Sequence, residues 1–220
     1  MEADSVTRVV RDLTEAHGER HLIVVSNREP YEHRWAADGQ GVEVRRPAGG
    51  LTSALDPVLR ACGATWVAWG SGEADPAAVD ANDRAAVPPE DPAYVLRRVW
   101  LGDHDIRRYY LGYSNQVLWP LCHMRPDLVR VSDAGWARYR EVNRRFADAT
   151  LEEASGREAA VWFQDYHLAL APRYVRERRP DLTLAHFWHI PFPPPDLMRM
   201  VPLAAELLRG LLANDLLGFR

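Results

Sequence analysis

Apolar and polar positions fall into short blocks along the chain. His21-Leu-Ile-Val-Val-Ser-Asn27 is a β-branched apolar run of the kind buried in a parallel sheet. Arg28-Glu-Pro-Tyr31 breaks it, and the polar, glycine-containing stretch 32–47 predicts a loop or hairpin. Ala48-Gly49-Gly50 opens a helix through Leu51, Leu55, Val58 and Leu59 to Cys62. Thr65-Trp-Val-Ala-Trp69 predicts a second strand, 70–91 a loop rich in Asp, Ala and Pro, and 94–101 a further strand. Asp103 predicts the N-cap of a helix reaching Tyr110. Residues 134–154 predict a long helix with Trp136, Tyr139, Val142, Phe146 and Ala149 on one face. The remaining pattern is strand 160–163 ending at Asp165, helix 168–179, strand 182–188, a rigid loop 190–195, helix 203–212 and strand 215–219. Pro172 sits near the start of the first of these helices and Pro180 stops it. Strand alternating with helix predicts an α/β fold, a Rossmann-like parallel sheet flanked by helices. Residues 5–17 carry a weaker helical pattern, and 1–20 are expected to be an N-terminal extension to a single domain over 21–220. A chain that stops directly after what reads as an inner strand is expected to be half of something larger.

Composition narrows the partners. The 220 residues carry a formal net charge of -4, without the basic surplus that duplex binding needs, so no nucleic-acid partner is expected. All 27 basic residues are Arg. The absence of Lys excludes a Walker-type phosphate loop and a Lys Schiff base, and leaves phosphate to Arg, His or backbone N–H groups. Cys62 and Cys122 are two distant thiols, neither a disulfide framework nor a zinc site, which fits a reducing cytoplasm. The polar start holds no apolar signal core, and no apolar run approaches the length of a membrane span. A cytoplasmic chain with no membrane partner is expected.

Ligands of open parallel sheets bind outside the carboxyl ends of the strands. Arg28, Asp165 and His189 each follow a predicted strand, and in a parallel sheet these edges converge. A guanidinium, a carboxylate and an imidazole there can bind an anion and move a proton. Each also has a structural alternative. Arg28 could pair with Glu29 or Glu32, Asp165 could only cap a helix, and His189 could be a packed, hydrogen-bonded histidine. Gly49-Gly50 before a helix could cradle an anion. Trp69, Tyr110 and Trp119 offer aromatic faces for a sugar ring, whereas Trp162, Phe163, Phe187 and Trp188 lie within strand runs and are assigned to packing. No metal-ligand spacing is present among the eight His residues, so no metal is expected.

Seven motifs then occur in order: Val-Val-Ser-Asn-Arg (24–28), Ala-Gly-Gly-Leu (48–51), Tyr-Tyr-x-Gly-Tyr-Ser-Asn (109–115), Leu-Trp-Pro (118–120), Asp-Tyr-His-Leu (165–168), His-Ile-Pro-Phe-Pro (189–193) and Asp-Leu-Leu-Gly-Phe (215–219). Together they resemble the N-terminal half of the trehalose-6-phosphate synthase family, retaining glycosyltransferases of the family numbered 20. The resemblance runs from about Leu22 to Arg220. It implies the two-Rossmann-domain GT-B fold, of which this would be the acceptor-binding domain, the C-terminal nucleotide-binding domain being absent. It implies transfer of glucose from a nucleotide sugar, UDP-glucose or GDP-glucose, to glucose 6-phosphate, with no cofactor. The implied partners are those two small molecules, the C-terminal domain and, as an open option, a second copy of the chain.

By the same resemblance Arg28 grips the acceptor phosphate, Trp69, Tyr110 and Trp119 line the acceptor pocket, and Asp165 sits at the acceptor hydroxyls. Gly50 belongs to the loop closing over the donor diphosphate, and His189 lies by the transferred glucose. Asp165 and His189 are thus the implied catalytic pair. Arg199 falls where the family has an Arg after the His-Ile-Pro-Phe-Pro loop. Three departures from the family pattern are Gln164 in place of a frequent His, Glu29 in place of Leu, and Trp188 in place of Leu. Retention without a protein nucleophile is attributed in this family to front-face attack assisted by the donor phosphate, which rests catalysis on positioning and electrostatics. Two other readings compete. One is a related synthase, such as a glucosylglycerol-phosphate synthase, or a pseudo-glycosyltransferase. The other is a non-catalytic sugar-phosphate-binding module.

Overall fold

A computed structural model describes residues 20–39, 41–201 and 203–220. The helix expected over 5–17 and nearly all of the expected extension lie outside the described residues. The chain forms two compact units. One holds the described residues up to Trp100 with Glu153–Ala160, the other Leu101–Glu152 with Val161–Arg220.

In the first unit, β1 (His21–Ser26) pairs in parallel with β4 (Thr65–Trp69), Ile23 opposite Thr65 and Ser26 opposite Ala68. β4 pairs in parallel with β6 (Tyr94–Val99), and β5 (Arg84–Val87) runs antiparallel to β6, giving the order β5-β6-β4-β1. Ile23, Val24 and Val25 are all fully buried, as are Trp66, Val67 and Ala68. Consecutive burial without alternation is what a strand covered on both faces requires, and it explains why these segments read as unbroken apolar runs. β2 (Glu32–Trp35) and β3 (Val42–Arg45) form the expected hairpin as a separate two-stranded sheet. Helix α1 (Gly50–Cys62) buries Leu55 and Leu59, one turn apart, and ends on Gly63 in the left-handed region. Its Asp56 accepts hydrogen bonds from the hydroxyls of Tyr31 (2.9 Å) and Tyr94 (2.6 Å). β5 corrects the expectation of a loop over 70–91: Ala85 and Val87 alternate inward, but two buried residues in an Asp- and Pro-rich context make too short a period to see.

The second unit begins with a helical run, α2, of three consecutive pieces: Asp103–Asp105, a π-helical stretch Ile106–Leu118, and Trp119–Cys122. The wide turns show in Trp119 N–H donating to the Ser114 carbonyl, five residues back. The run is longer than the expected helix to Tyr110, and its cap is Gly102 rather than Asp103. Asp105 accepts from the Gly102 N–H at 3.1 Å and is itself held by Arg138 (3.0 Å) and Arg145 (2.7 Å). Helix α3 (Asp133–Glu153) buries all five residues of its predicted face. Tyr113 meets Trp136 and Tyr139 with ring centroids 4.9 Å apart in each pair. β7 (Ala159–Gln164), β8 (Thr183–Trp188) and β9 (Leu216–Phe219) follow in that order, β8 and β9 parallel. The segment after β7 forms a short 3-10 turn at Tyr166–Leu168, and helix α4 starts only at Ala171 (Ala171–Arg178). A short helix α5 (Pro195–Arg199), not foreseen in the sequence, precedes α6 (Ala204–Leu211).

Asn143 ties α3 to the start of α4. Its Nδ2 donates to the carbonyls of Tyr139 (2.9 Å) and His167 (3.0 Å), and its Oδ1 accepts from the N–H groups of Leu170 and Ala171 (both 3.0 Å). The side chain is fully buried, so nothing else can satisfy the helix start. Asn143→Leu is expected to cost at least about 2 kcal/mol, from buried donors left unpaired. Urea denaturation checks this, and a loss within about 0.5 kcal/mol would mean that the start of α4 finds other partners.

Candidate functional site

In the first unit, Arg28 is exposed immediately after β1. The turn that carries it is pinned: Ser26 Oγ donates to the Arg28 carbonyl (2.6 Å) and accepts from Trp66 Nε1 (2.7 Å). Neither alternative partner pairs with it. Glu29 binds Arg98 at 3.0 Å, and Glu32 binds Arg34 at 3.1 Å. Arg28 makes no ion pair among the described residues, so its charge is available at the carboxyl end of β1. Trp69 ends β4, parallel neighbour of β1, and is half-buried. Gly50 opens α1 in an exposed position where no side chain caps the helix, and a Cβ there would meet nothing within 4 Å.

In the second unit, Asp165 has φ 67° and ψ 173°, a conformation nearly reserved for glycine. Hydrogen bonds hold it there. Its N–H donates to the Phe187 carbonyl (2.7 Å), and its own carbonyl lies 3.0 Å from His186 Nε2. Its Oδ1 accepts from the N–H groups of Tyr166 (3.0 Å) and His189 (3.3 Å). The carboxylate therefore caps the 3-10 turn and also reaches across to the end of β8. Burial raises its pKa, while the Tyr166 N–H and the His189 charge pull the other way. His189 follows β8, and its Nε2 lies 2.8 Å from the Gln164 side-chain oxygen. With that oxygen as acceptor, Nε2 carries the proton. Burial lowers the His189 pKa against the raising effect of Asp165, and Arg220 adds to the lowering.

The residues after Asp165 gather the aromatic candidates. Tyr110 stacks on His167, with ring centroids 5.7 Å apart and planes 20° apart. Trp119, 44 % exposed, lies 5.9 Å from the Tyr166 ring. The Tyr166 hydroxyl reaches Asn115 Oδ1 at 3.2 Å. Asp165, His189, Tyr110 and Trp119 thus share one neighbourhood built from β7, β8 and the π-helical run. Arg199 stands apart from it on α5, paired with Asp196 at 2.9 Å. Sequence reasoning passed over Gln164, Tyr166 and His167 as working parts. Gln164 is nonetheless the last residue of β7, where a buried amide signals a hydrogen-bonding task. The packing assignment holds for Phe163 and Trp188, which are buried, while Trp162 and Phe187 are half-buried. Among the described residues no group of three or more His, Cys, Asp or Glu side chains could hold a metal ion, and no helix is long and apolar enough to cross a membrane.

The family model described as glycosyltransferase family 20 matches residues 20–220. The trehalose-6-phosphate synthase of Mycobacterium ulcerans is 43% identical over 210 residues, covering 94% of this chain and 40% of that protein. An alpha,alpha-trehalose-phosphate synthase (UDP-forming) from Burkholderia vietnamiensis superimposes with TM-score 0.71 at 32% identity, over 90% of this chain and 39% of its own. One from Burkholderia xenovorans in complex with glucose-6-phosphate gives TM-score 0.70 at 28% identity, over 91% of this chain and 40% of its own. The chain therefore spans about 40% of the length of such relatives. The expected α/β, GT-B-type fold of an N-terminal part is borne out.

His186 supplies a pH test of the site's scaffold. Full burial lowers its pKa from 6.5 to about 4, with the nearby His189 charge acting in the same direction and the bond to the Asp165 carbonyl against it. Unfolded chain takes up a proton below about 6.5 that the native state refuses until about 4, so stability is lost as pH falls through that window. Urea midpoints between about pH 7 and 4 are expected to fall less steeply in His186→Gln, whose amide can still donate to Asp165. Parallel curves for both proteins would show that His186 is not the group responsible.

Proposed function

The chain belongs to glycosyltransferase family 20, and from that membership we propose that it is the acceptor-binding part of a trehalose-6-phosphate synthase, a retaining glucosyltransferase. The proposed reaction moves glucose from UDP-glucose or GDP-glucose to glucose 6-phosphate, without a cofactor. Residues 21–220 act as the Rossmann-like acceptor domain, and a C-terminal domain supplies most of the nucleotide contacts. The glucose-6-phosphate complex of the relative from B. xenovorans and the UDP-forming activity in the names of both structural relatives support this choice of substrates. A reducing, cytoplasmic setting suits such substrates.

The observation that carries the reading is Asp165. A non-glycine residue in a glycine-like conformation costs on the order of 1–3 kcal/mol, and such strain persists mainly where geometry serves function. Here it directs a half-buried carboxylate and the residue's own N–H and carbonyl groups toward four neighbours at once. In the proposal Asp165 orients the acceptor hydroxyls and, with its raised pKa, takes up the proton that the attacking hydroxyl loses. His189, with its lowered pKa, stays neutral near neutral pH and donates from Nε2 only at the cost of its bond to Gln164. Arg28 grips the acceptor phosphate. Tyr110, Trp119 and Trp69 offer aromatic faces to the acceptor ring. The uncapped start of α1 at Gly50 faces the donor diphosphate with free N–H groups. A non-catalytic sugar-phosphate module would have no need of the strained Asp165, whereas a related synthase with another phosphorylated acceptor would keep it.

Two variants test these roles in a complete enzyme carrying this chain. Arg28→Ala is expected to weaken acceptor use by about 1.5–3 kcal/mol, the worth of a charge-assisted contact, with donor use little changed. An unchanged acceptor KM and kcat would remove Arg28 from the site. Asp165→Asn retains a side chain able to cap the Tyr166 turn, so thermal stability is expected to hold while kcat collapses. Normal turnover with a normal melting temperature would leave Asp165 as a cap alone.

A further inference from the structure

A buried group of ionisable side chains lies directly behind Arg28. Glu29 follows β1, Asp75 lies in the turn after β4, and Arg98 is on β6; each is 1% exposed or less. Arg98 Nε donates to Glu29 Oε2 (3.0 Å), while its Nη2 meets Asp75 Oδ1 (2.9 Å) and the Tyr31 carbonyl (3.0 Å). Glu29 Oε1 accepts from both the N–H (2.6 Å) and the hydroxyl (2.9 Å) of Ser71. Asp75 accepts from the N–H groups of His33 and Gly72, both at 2.7 Å, and His33 Nδ1 lies 3.1 Å from the same carboxylate. Gly72 leaves no slack, since a Cβ would lie 2.4 Å from the His33 carbonyl oxygen. Four segments, the turn after β1, the hairpin strand β2, the turn after β4 and β6, are thereby tied to one guanidinium.

The charges do not balance. Two carboxyl groups face one guanidinium, and a second buried carboxylate without a counter-charge is costly. Glu29 Oε2 and Asp75 Oδ1 both lie against the same guanidinium, so one proton held on the pair of carboxyl groups brings the cluster into balance. Resting on the reading of Arg28 as a phosphate grip, we propose that the Glu29–Asp75–Arg98 cluster is the positioning device of Arg28, and that the proton shared by its carboxyl groups must stay in place for the turn to present the guanidinium to a phosphate. Glu29 fixes the main chain on one side of Arg28, as the Ser26 hydroxyl does on the other. Burial first, then the neighbouring Asp75 carboxyl, raises the Glu29 pKa to about 8, against the pull of Arg98. Burial alone would raise Asp75 too, but bonds from His33, the neighbouring Glu29 carboxyl and the Arg98 charge bring it below its ordinary value. The groups facing Glu29 are Asp75, Arg98 and Ser71, with His33 behind Asp75. When the proton leaves, Glu29 and Asp75 repel, and the turn loosens.

Binding of glucose 6-phosphate to the whole polypeptide by calorimetry, at about pH 7 and about pH 9, tests this. The second phosphate ionisation lies near about 6, so the ligand stays a dianion over this range. With Glu29 midway near about 8, the competent fraction falls from about nine-tenths to one-tenth, and affinity is expected to drop about tenfold. Glu29→Gln cannot release the proton and is expected to show a flat profile. A flat wild-type profile, or the same alkaline loss in Glu29→Gln, overturns the proposal. Should that variant not fold, carboxyl NMR of Glu29 in the wild type decides, since titration in the ordinary carboxylate range overturns it equally. Arg28→Ala separates the two levels. If it binds as wild type, the phosphate-grip reading fails; if it weakens binding while the wild type stays flat, only the cluster's role fails.

Discussion

The candidate site depends on one peptide unit held where its residue type resists being held. Asp165 sits in a backbone region that a side chain disfavours, and it stays because the Phe187 carbonyl, the His186 ring and two N–H groups engage it from β8 and from the following turn. Everything else in that neighbourhood takes its place from this constraint. The turn at Tyr166–Leu168 starts on the Asp165 carboxylate, and Tyr110 and Trp119 rest against the rings of that turn. His189 is pinned through its N–H to Asp165 and through its ring to the neighbouring Gln164. A site assembled in this way is ordered before any ligand arrives, which lowers the entropic cost of binding.

The first unit solves a similar problem with charge instead of backbone strain. Its exposed guanidinium stands on a short turn after β1, a position with few neighbours to steady it. The neighbours are supplied from below, by a hydrophobic strand pair and a buried hydrogen-bonded cluster. Such a cluster tolerates piecemeal change poorly, because deleting one member strands the rest without partners in a dry interior.

Much of this was legible along the chain. The unbroken apolar run of β1 and the five-residue face of α3 are strong periodic signals, and both elements lie where the pattern puts them. Elements that escaped are those whose information is not periodic. β5 is too short, and α5 is a single turn between prolines. The site residues were visible through their positions after strands and through ordered motifs. Their supports were not: nothing in the sequence near Glu29 announces Arg98, 69 residues away. Gln164 was visible only as a departure from a family pattern, and its task at His189 depends on two strands, β7 and β8, lying side by side. Long-range polar pairing has no period, so sequence spacing carries no trace of it.

The π-helical stretch Ile106–Leu118 has a consequence of its own. Its hydrogen bonds skip one residue more than those of an α-helix, so the segment accommodates more chain within the same span. Removing a residue anywhere within it could be absorbed locally by a return to α-helical bonding, leaving the flanking backbone continuous. In an α-helix, by contrast, the same deletion would turn every side chain beyond it by roughly 100° about the axis, one residue's share of a 3.6-residue turn. Once the wide turns are used up, a further deletion would turn Tyr110 and Trp119, nine positions apart in number, away from each other's side of the helix. In this stretch the count of residues, more than the identity of most of them, carries the site's geometry, and the natural unit of variation there is an insertion or deletion rather than a substitution.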